Sequence, residues 1–220
     1  MVKVKNNIEQ DRYITALSLK WLTRYYDGIT WLVRENTFKR HLVERAQIKS
    51  GERVLDLGCG TATLTIMIKK SFPEAEVTGL DGDPDVLEKA RAKIAKAGLN
   101  VTLDKGMAFE LPYPECHFDH VFSSLVFHHL TRENKLKALT EVFRVLRPGG
   151  YFYLADFGKL RNVAMYLVSL VMRHFEEYRD NINGLLLDAM RGAGFQPVDE
   201  FARYTTIFGT LCLYRACKPT

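Results

Sequence analysis

The sequence predicts an α/β protein: a doubly wound sheet of seven strands, parallel through the first five and closed by an antiparallel hairpin. Three observations carry this. From Arg53 onward, short apolar runs alternate with stretches of helical periodicity. The runs are short and apolar enough to be covered on both faces, which is the habit of parallel sheet wrapped by helices. The last two runs follow one another with no helical stretch between them, so they must pair antiparallel.

Taken in order, Val54–Leu57 is the first strand. Leu64, Met67, Ile68 and Phe72 then recur at helical spacing, and Pro73 stops that helix. Val77–Leu80 is the second strand. The stretch DPDVLEKARAKIAKAG opens with Asp83 as N-cap and Pro84 at the first helical position, and Gly98 closes it. Val101–Leu103 and Phe118–Ser123 are the next two strands. Leu136, Leu139, Val142, Phe143 and Leu146 mark a helix stopped by Pro148-Gly149-Gly150, and Tyr151–Ala155 is the fifth strand. Leu186, Ala189, Met190 and Ala193 line a last helix capped by Gly194. Val198–Tyr204 and Thr210–Ala216 form the hairpin, with Gly209 at the reversal.

Two regions lie outside this alternation. Residues 1–50 read as a helical N-terminal extension, a cap or lid on a main domain of residues 51–220. One stripe there holds Ile14, Leu17, Trp21, Leu22 and Tyr25. A second holds Trp31, Glu35, Phe38, Leu42 and Ala46, with Glu35 its flaw, and Tyr26-Asp27-Gly28 separates the two. Residues 160–183 form a helical insertion after strand five. From Arg161 to Tyr178 this insertion is apolar almost all round, as suits a lid over a substrate pocket or, equally, a core-packing or dimerising helix.

The chain is long enough, at 220 residues, to bury a sizeable core. Its four cysteines, Cys59, Cys116, Cys212 and Cys217, include no C-x-x-C pair, which argues against a disulfide framework or a metal site and for a reducing compartment. No signal peptide or membrane-spanning run is apparent, so a cytoplasmic location is expected. The net charge of +5 lies wholly in residues 1–53, which hold eleven Lys/Arg against six Asp/Glu. Such an excess suits a solvated helical face, or a surface turned toward an anionic substrate, nucleic acid or lipid.

The chemistry begins at VLDLGCGTATLT. Gly58 and Gly60 end the first strand on the edge where open α/β sheets bind ligands, and a side chain there would keep a ligand from the backbone. The helix that follows offers unpaired N–H groups to an anion. Asp81 ends the next strand, twenty-three residues beyond Gly58, where a carboxylate can grip a ribose diol. A plain turn residue before Asp83 is the alternative. NAD and S-adenosylmethionine both carry ribose, and three features separate them. Thr63 stands where the dinucleotide fingerprint needs its third glycine. Asp56 is placed to attract an ammonium group. The terminal hairpin is foreign to ordinary dinucleotide-binding folds.

From about Arg53 to the C-terminus, with residues 160–183 matching only loosely, the chain resembles class I S-adenosylmethionine-dependent methyltransferases with a Rossmann-like sheet, of the small bacterial-type group that includes ubiquinone/menaquinone C-methyltransferases. VLDLGCGTA resembles the glycine motif of that family and VTGLDGDPDVLEKAR its ribose motif. FELPYPECHFDHVFSSLVFHHL, EVFRVLRPGGYFYLADF and LLLDAMRGAGFQPVDE resemble the later signatures, in order. The resemblance implies S-adenosyl-L-methionine as cofactor. It places Asp56, Gly58, Cys59 and Gly60 around the methionine portion and Asp81 on the ribose. Gly82, Met107 and Ala108 would lie beside the adenine, and Ser123, Ser124 and Leu125 beneath the sulfonium and amino group. Two positions depart from the family pattern. Ala62 replaces a frequent third glycine, a change tolerated if the dihedrals there are helical. Met107 replaces a frequent aspartate, so adenine selection would rest more on backbone groups.

Methyl transfer from a sulfonium needs alignment first and a base only where the acceptor must lose a proton. His128, His129 and Asp156 fall on the ligand edge, and His128 and Asp156 are the catalytic candidates. His129 suits a capping or packing role at the next helix, Cys59 a packing role. Tyr25, Tyr26 and Asp27 are candidates to fold over the cofactor. The acceptor expected is a small, partly apolar molecule, with lipid, quinone or RNA as alternatives. Neither a base-gripping N/D-P-P-Y/F-like motif nor an aromatic-interleaved RNA module is visible. A stable nucleic-acid partner is therefore not expected, and a second copy of the chain is a candidate partner. An NAD(P)-dependent oxidoreductase and a non-catalytic adenosyl-ligand-binding protein are the competing classes.

Overall fold

The computed structural model describes residues 35–158, 185–206 and 209–220. The expected N-terminal stripe at 14–25, the Tyr25–Asp27 segment and the apolar stretch at 161–178 lie outside the described residues. The elements run α1 (Glu35–Glu44), β1 (Arg53–Leu57), α2 (Thr63–Ser71), β2 (Glu76–Asp81), α3 (Pro84–Ala97), β3 (Thr102–Lys105), β4 (Phe118–Ser124), a short 3-10 turn (Phe127–His129), α4 (Arg132–Val145), β5 (Leu146–Phe157), α5 (Leu185–Gly192), β6 (Val198–Thr206) and β7 (Gly209–Cys217). The seven strands form one sheet in the order β3-β2-β1-β4-β5-β7-β6. The first five are parallel, and β7 runs antiparallel to both β5 and β6.

Strand order decides where the helices go. The connections β1 to β2 and β2 to β3 step in one direction, and β4 to β5 steps in the other, so right-handed crossovers put helices on both faces. One face buries Phe38, Leu42 and Val43 of α1 and Leu64 and Ile68 of α2 against Val54, Phe122 and Leu213. The other buries Leu139 and Val142 of α4 and Leu186 and Met190 of α5 against Leu55, Val121 and Phe152. The order reverses between β1 and β4, so the ligand crevice of such a sheet opens at their carboxyl ends.

Local signals hold where they are strong. Asp83 caps α3 by accepting from the backbone N–H groups of Asp85 at 2.9 Å and Val86 at 3.3 Å, with Pro84 beside it, and Gly98 closes the helix in the left-handed conformation. Asp83→Ala is expected to cost about 1 kcal/mol and lower the melting temperature by about 2–4 °C in a calorimetric scan. One boundary differs. The expected helix through Leu146 ends at Val145, because Pro148 disfavours helical dihedrals at Arg147 and Leu146 pairs with Phe118 as the first residue of β5. The cap of α4 is Thr131, whose hydroxyl accepts from the Asn134 N–H at 3.2 Å. His129 instead sits exposed in the 3-10 turn with its ring against His128.

Candidate functional site

Register brings the chemistry to one edge. Leu80, Leu57, Ser123 and Leu154 lie level across β2, β1, β4 and β5. One residue further on stand Asp81, Gly58, Ser124 and Ala155, with Asp156 just beyond.

The two glycines do different things. Gly58 has φ of +70°, and a Cβ there would lie 2.3 Å from Cγ2 of Val126, so this glycine exists for the close approach of the β4 turn. Its N–H and that of Cys59 both donate to the Leu80 carbonyl, at 2.8 and 3.0 Å. Gly60 has φ of +54° and open space where a Cβ would project, which is what a ligand approaching the backbone requires. Ala62 does not meet the condition of helical dihedrals: it is left-handed at φ 61°. That conformation costs an alanine about 1–2 kcal/mol, offset here by full burial of its methyl group with Ala90 and Ile94.

Asp81 organises the rim. Its two carboxylate oxygens accept from the Gly60 N–H at 2.9 Å and the Asp83 N–H at 3.0 Å, which fixes the carboxylate against the glycine bend and leaves each oxygen a further lone pair. Burial pushes its pKa up, against the pull of those N–H groups. Gly82 beside it packs closely on Met107, whose Sδ lies 2.8 Å from where a Cβ would be, so a side chain there would displace the thioether. Ala108 is buried next to Met107.

Asp56 is 1 % exposed and faces α2, accepting from the Thr65 hydroxyl at 2.6 Å. Burial raises its pKa to about 6, against the Thr65 hydrogen bond and the charge of the buried Lys39 on α1. A carboxyl whose folded pKa lies above its unfolded value gives stability that is full below pH 4 and lost as pH rises through about 6. The shift from 3.8 to about 6 corresponds to on the order of 3 kcal/mol. Asp56→Asn is accordingly expected to flatten the decline in urea midpoint between pH 5 and pH 8, and equal slopes in both proteins would refute this. Cys59 packs against Gly79, and burial pushes its thiol up, so it is not a nucleophile.

On β4, the Ser123 hydroxyl donates to the Leu57 carbonyl at 2.9 Å. Ser124 differs. Its hydroxyl is buried and has no partner among the described residues. Leu125 follows with φ of +60°, its N–H donating to the Ala155 carbonyl at 2.8 Å, and this bend aims Val126 onto Gly58.

His128 and Asp156 meet. His128 Nδ1 lies 3.0 Å from Asp156 Oδ1, and the same carboxylate accepts from the Phe157 N–H at 2.7 Å and the His128 N–H at 3.3 Å. Burial alone would raise the pKa of this fully buried acid, but His128 and the Phe157 N–H outweigh it and hold it below the ordinary range. An ionised Asp156 places the proton of a neutral His128 on Nδ1 and leaves Nε2 an acceptor. The Phe157 ring packs edge-on to His128 at 5.1 Å.

A polar cleft of about 430 Å³ lies on the opposite edge, where Arg53 Nη1 is 3.0 Å from His117 Nδ1. It borders the amino ends of the strands, away from these groups. Val126 carries no signal in the sequence, because its partner Gly58 is distant, and Thr65, Lys39 and the pair of Glu141 and Arg144 show their roles only once the fold places Asp56 and the 106–117 loop against them.

Glycine bend, rim carboxylate and terminal hairpin define the class I methyltransferase fold. Residues 54–150 match the family described as "Methyltransferase domain". Over 149 residues the chain is 36% identical to a demethylmenaquinone methyltransferase of Thermus thermophilus, covering 68% of this chain and 66% of that protein. It is likewise 36% identical over 121 residues to the demethylmenaquinone methyltransferase of Listeria monocytogenes, covering 54% of this chain and 50% of that one. The chain thus spans between half and two thirds of the length of these relatives. Among solved structures, a protein of Bacillus halodurans described as a "putative methyltransferase" superposes with a TM-score of 0.68 at 20% identity, covering 84% of this chain and 100% of that one. A SAM-dependent methyltransferase of Methanosarcina mazei does so at 0.64 and 20%, covering 78% and 94%. Among the described residues, no helix is long and apolar enough to cross a membrane.

Proposed function

We propose that the protein binds S-adenosyl-L-methionine along the Asp81–Gly60–Ser124 rim and transfers its methyl group to a small, partly apolar acceptor of the quinol kind. The observation that carries the first half is the buried Ser124 hydroxyl, without a partner among the described residues, at the same sheet edge as the open face of Gly60 and the spare lone pairs of Asp81. A buried hydroxyl left without a partner is costly, and a polar ligand relieves it. In this reading Asp81 takes the ribose hydroxyls. Gly82, Met107 and Ala108 border the adenine, and Asp56, Gly58, Cys59 and Gly60 shape the methionine end, where the Asp56 charge favours an ammonium group. Ser123 and Leu125 hold Ser124 in place beneath the sulfur.

When bound, the cofactor supplies a methyl group on a positively charged sulfur, an electrophile for in-line displacement. The chain supplies alignment and a proton acceptor. His128 Nε2 takes the proton of an acidic acceptor hydroxyl, while Asp156 keeps Nδ1–H in place and stabilises the imidazolium that results. Removing that proton raises the electron density of an aromatic acceptor at the attacking carbon, and the hydrogen on that carbon moves to the oxygen as the ring regains aromaticity, so that one proton in all is released. The similarity to demethylmenaquinone methyltransferases supports an acceptor of this chemistry. The test is calorimetric titration with S-adenosylhomocysteine, followed by mass spectrometry of a demethylmenaquinol incubated with protein and S-adenosylmethionine. Binding together with a product 14 mass units heavier, about one methylene, supports the reading. No binding refutes it, and binding without product refutes the acceptor.

A further inference from the structure

We propose that Arg144, held by Glu141 near the end of α4, is a positioning residue that sets the loop bordering adenine and thereby the selectivity for that base; this rests on the adenosyl reading above. Residues 106–117 cross from the carboxyl end of β3 to the start of β4 with no regular structure beyond one bridge between Met107 and Glu110. A backbone of that length must find partners elsewhere, and much of what it finds is one ion pair. Arg144 Nη1 donates to the Tyr113 carbonyl at 2.7 Å and Nη2 to the Leu111 carbonyl at 3.1 Å. Glu141 Oε2 accepts from the Leu111 N–H at 2.8 Å. The two side chains are locked to each other, Nε to Oε1 at 2.7 Å and Nη2 to Oε2 at 2.8 Å. Both backbone groups of Leu111 are therefore satisfied by a single pair on another element.

From that anchor the chain reaches the rim within a few residues. The Glu110 N–H donates to the Met107 carbonyl at 3.2 Å, and the Gly106 N–H to the Asp81 carbonyl at 3.1 Å. Met107 then packs against the bare face of Gly82. A thioether cannot accept a hydrogen bond from the adenine amino group as a carboxylate would. Selection of adenine in this chain consequently depends on where the loop holds its backbone, and the side chains that clamp that backbone are Arg144 and Glu141. Only a planar fork reaches both carbonyls and the carboxylate at once; an ammonium is a single point.

The test compares S-adenosylhomocysteine with S-inosylhomocysteine, in which oxygen replaces the amino group, by calorimetric titration. Arg144→Lys is expected to weaken S-adenosylhomocysteine by about tenfold and shrink the preference for adenine by about threefold or more. Arg147→Lys, altering a guanidinium that pairs with Asp119 at 2.7 Å, is expected to leave both values unchanged. A general loss of stability would lower both affinities together, so an unchanged preference in Arg144→Lys overturns the inference. Should that variant not fold, Glu141→Gln is measured in its place: a shrunken preference supports the inference and an unchanged one overturns it. A wild-type protein that binds neither compound overturns the adenosyl reading itself and this inference with it.

Discussion

Asp81→Ala is expected to weaken S-adenosylhomocysteine binding by about a hundredfold or more, from the loss of two hydrogen bonds to a charged acceptor at about 1.5–3 kcal/mol each. The carboxylate has a second task, since it accepts from the N–H groups of Gly60 and Asp83, so part of the loss would come from a loosened glycine bend. The two contributions separate in a cycle with a ligand lacking the ribose hydroxyls. If Asp81 grips the diol, wild type loses affinity for the deoxy ligand while Asp81→Ala, already without the contact, loses little more. Equal losses in both proteins would mean that Asp81 acts only through the bend. A variant that still binds within about fivefold, about 1 kcal/mol, would remove the ribose assignment altogether. Titration calorimetry on four protein–ligand pairs reads all of these results.

What could be read from the sequence, and what could not, follows from the range of the interactions involved. Asp83, Pro84 and Gly98 act within a few residues of themselves, and α3 begins and ends where those residues put it. The hairpin was legible because two strands with no crossover have no other way to pair. The third strand is offset, running Thr102–Lys105 where apolar content suggested Val101–Leu103, because parallel register with Thr78–Asp81 sets its bounds. The meeting of Asp81 and Gly60 at one end of the sheet was legible from the strand pattern and their spacing. The reason for Gly58 was not, since Val126 lies sixty-eight positions later and arrives only through a left-handed Leu125. Ala62 likewise shows in sequence only as an absent glycine; its sign of φ is a property of the folded bend. Glu141 and Arg144 look like an ordinary i,i+3 surface pair until the loop they clamp is in place.

His128→Ala is expected to lower kcat for quinol methylation by about two to four orders of magnitude, with S-adenosylhomocysteine affinity unchanged. The reasoning starts from position. His128 and Asp156 are twenty-eight residues apart, and the sequence placed each at the ligand edge without pairing them; adjacency of β4 and β5 does so. Asp156 is fully buried yet held ionised, an arrangement that serves a neighbour needing its proton fixed on Nδ1. If Nε2 accepts the proton of the acceptor, the loss in His128→Ala must fall on kcat and leave the affinity for S-adenosylhomocysteine alone. Asp156→Asn tests the pairing. An amide oxygen could still accept from Nδ1–H, but without the charge that stabilises an imidazolium, so kcat should fall while the affinity for S-adenosylhomocysteine holds. The measurement is initial rate against acceptor concentration for the three proteins, with methylated product quantified by mass spectrometry. A His128→Ala enzyme that retains the wild-type rate would show that the acceptor reacts without a base, and that the histidine only packs against Phe157.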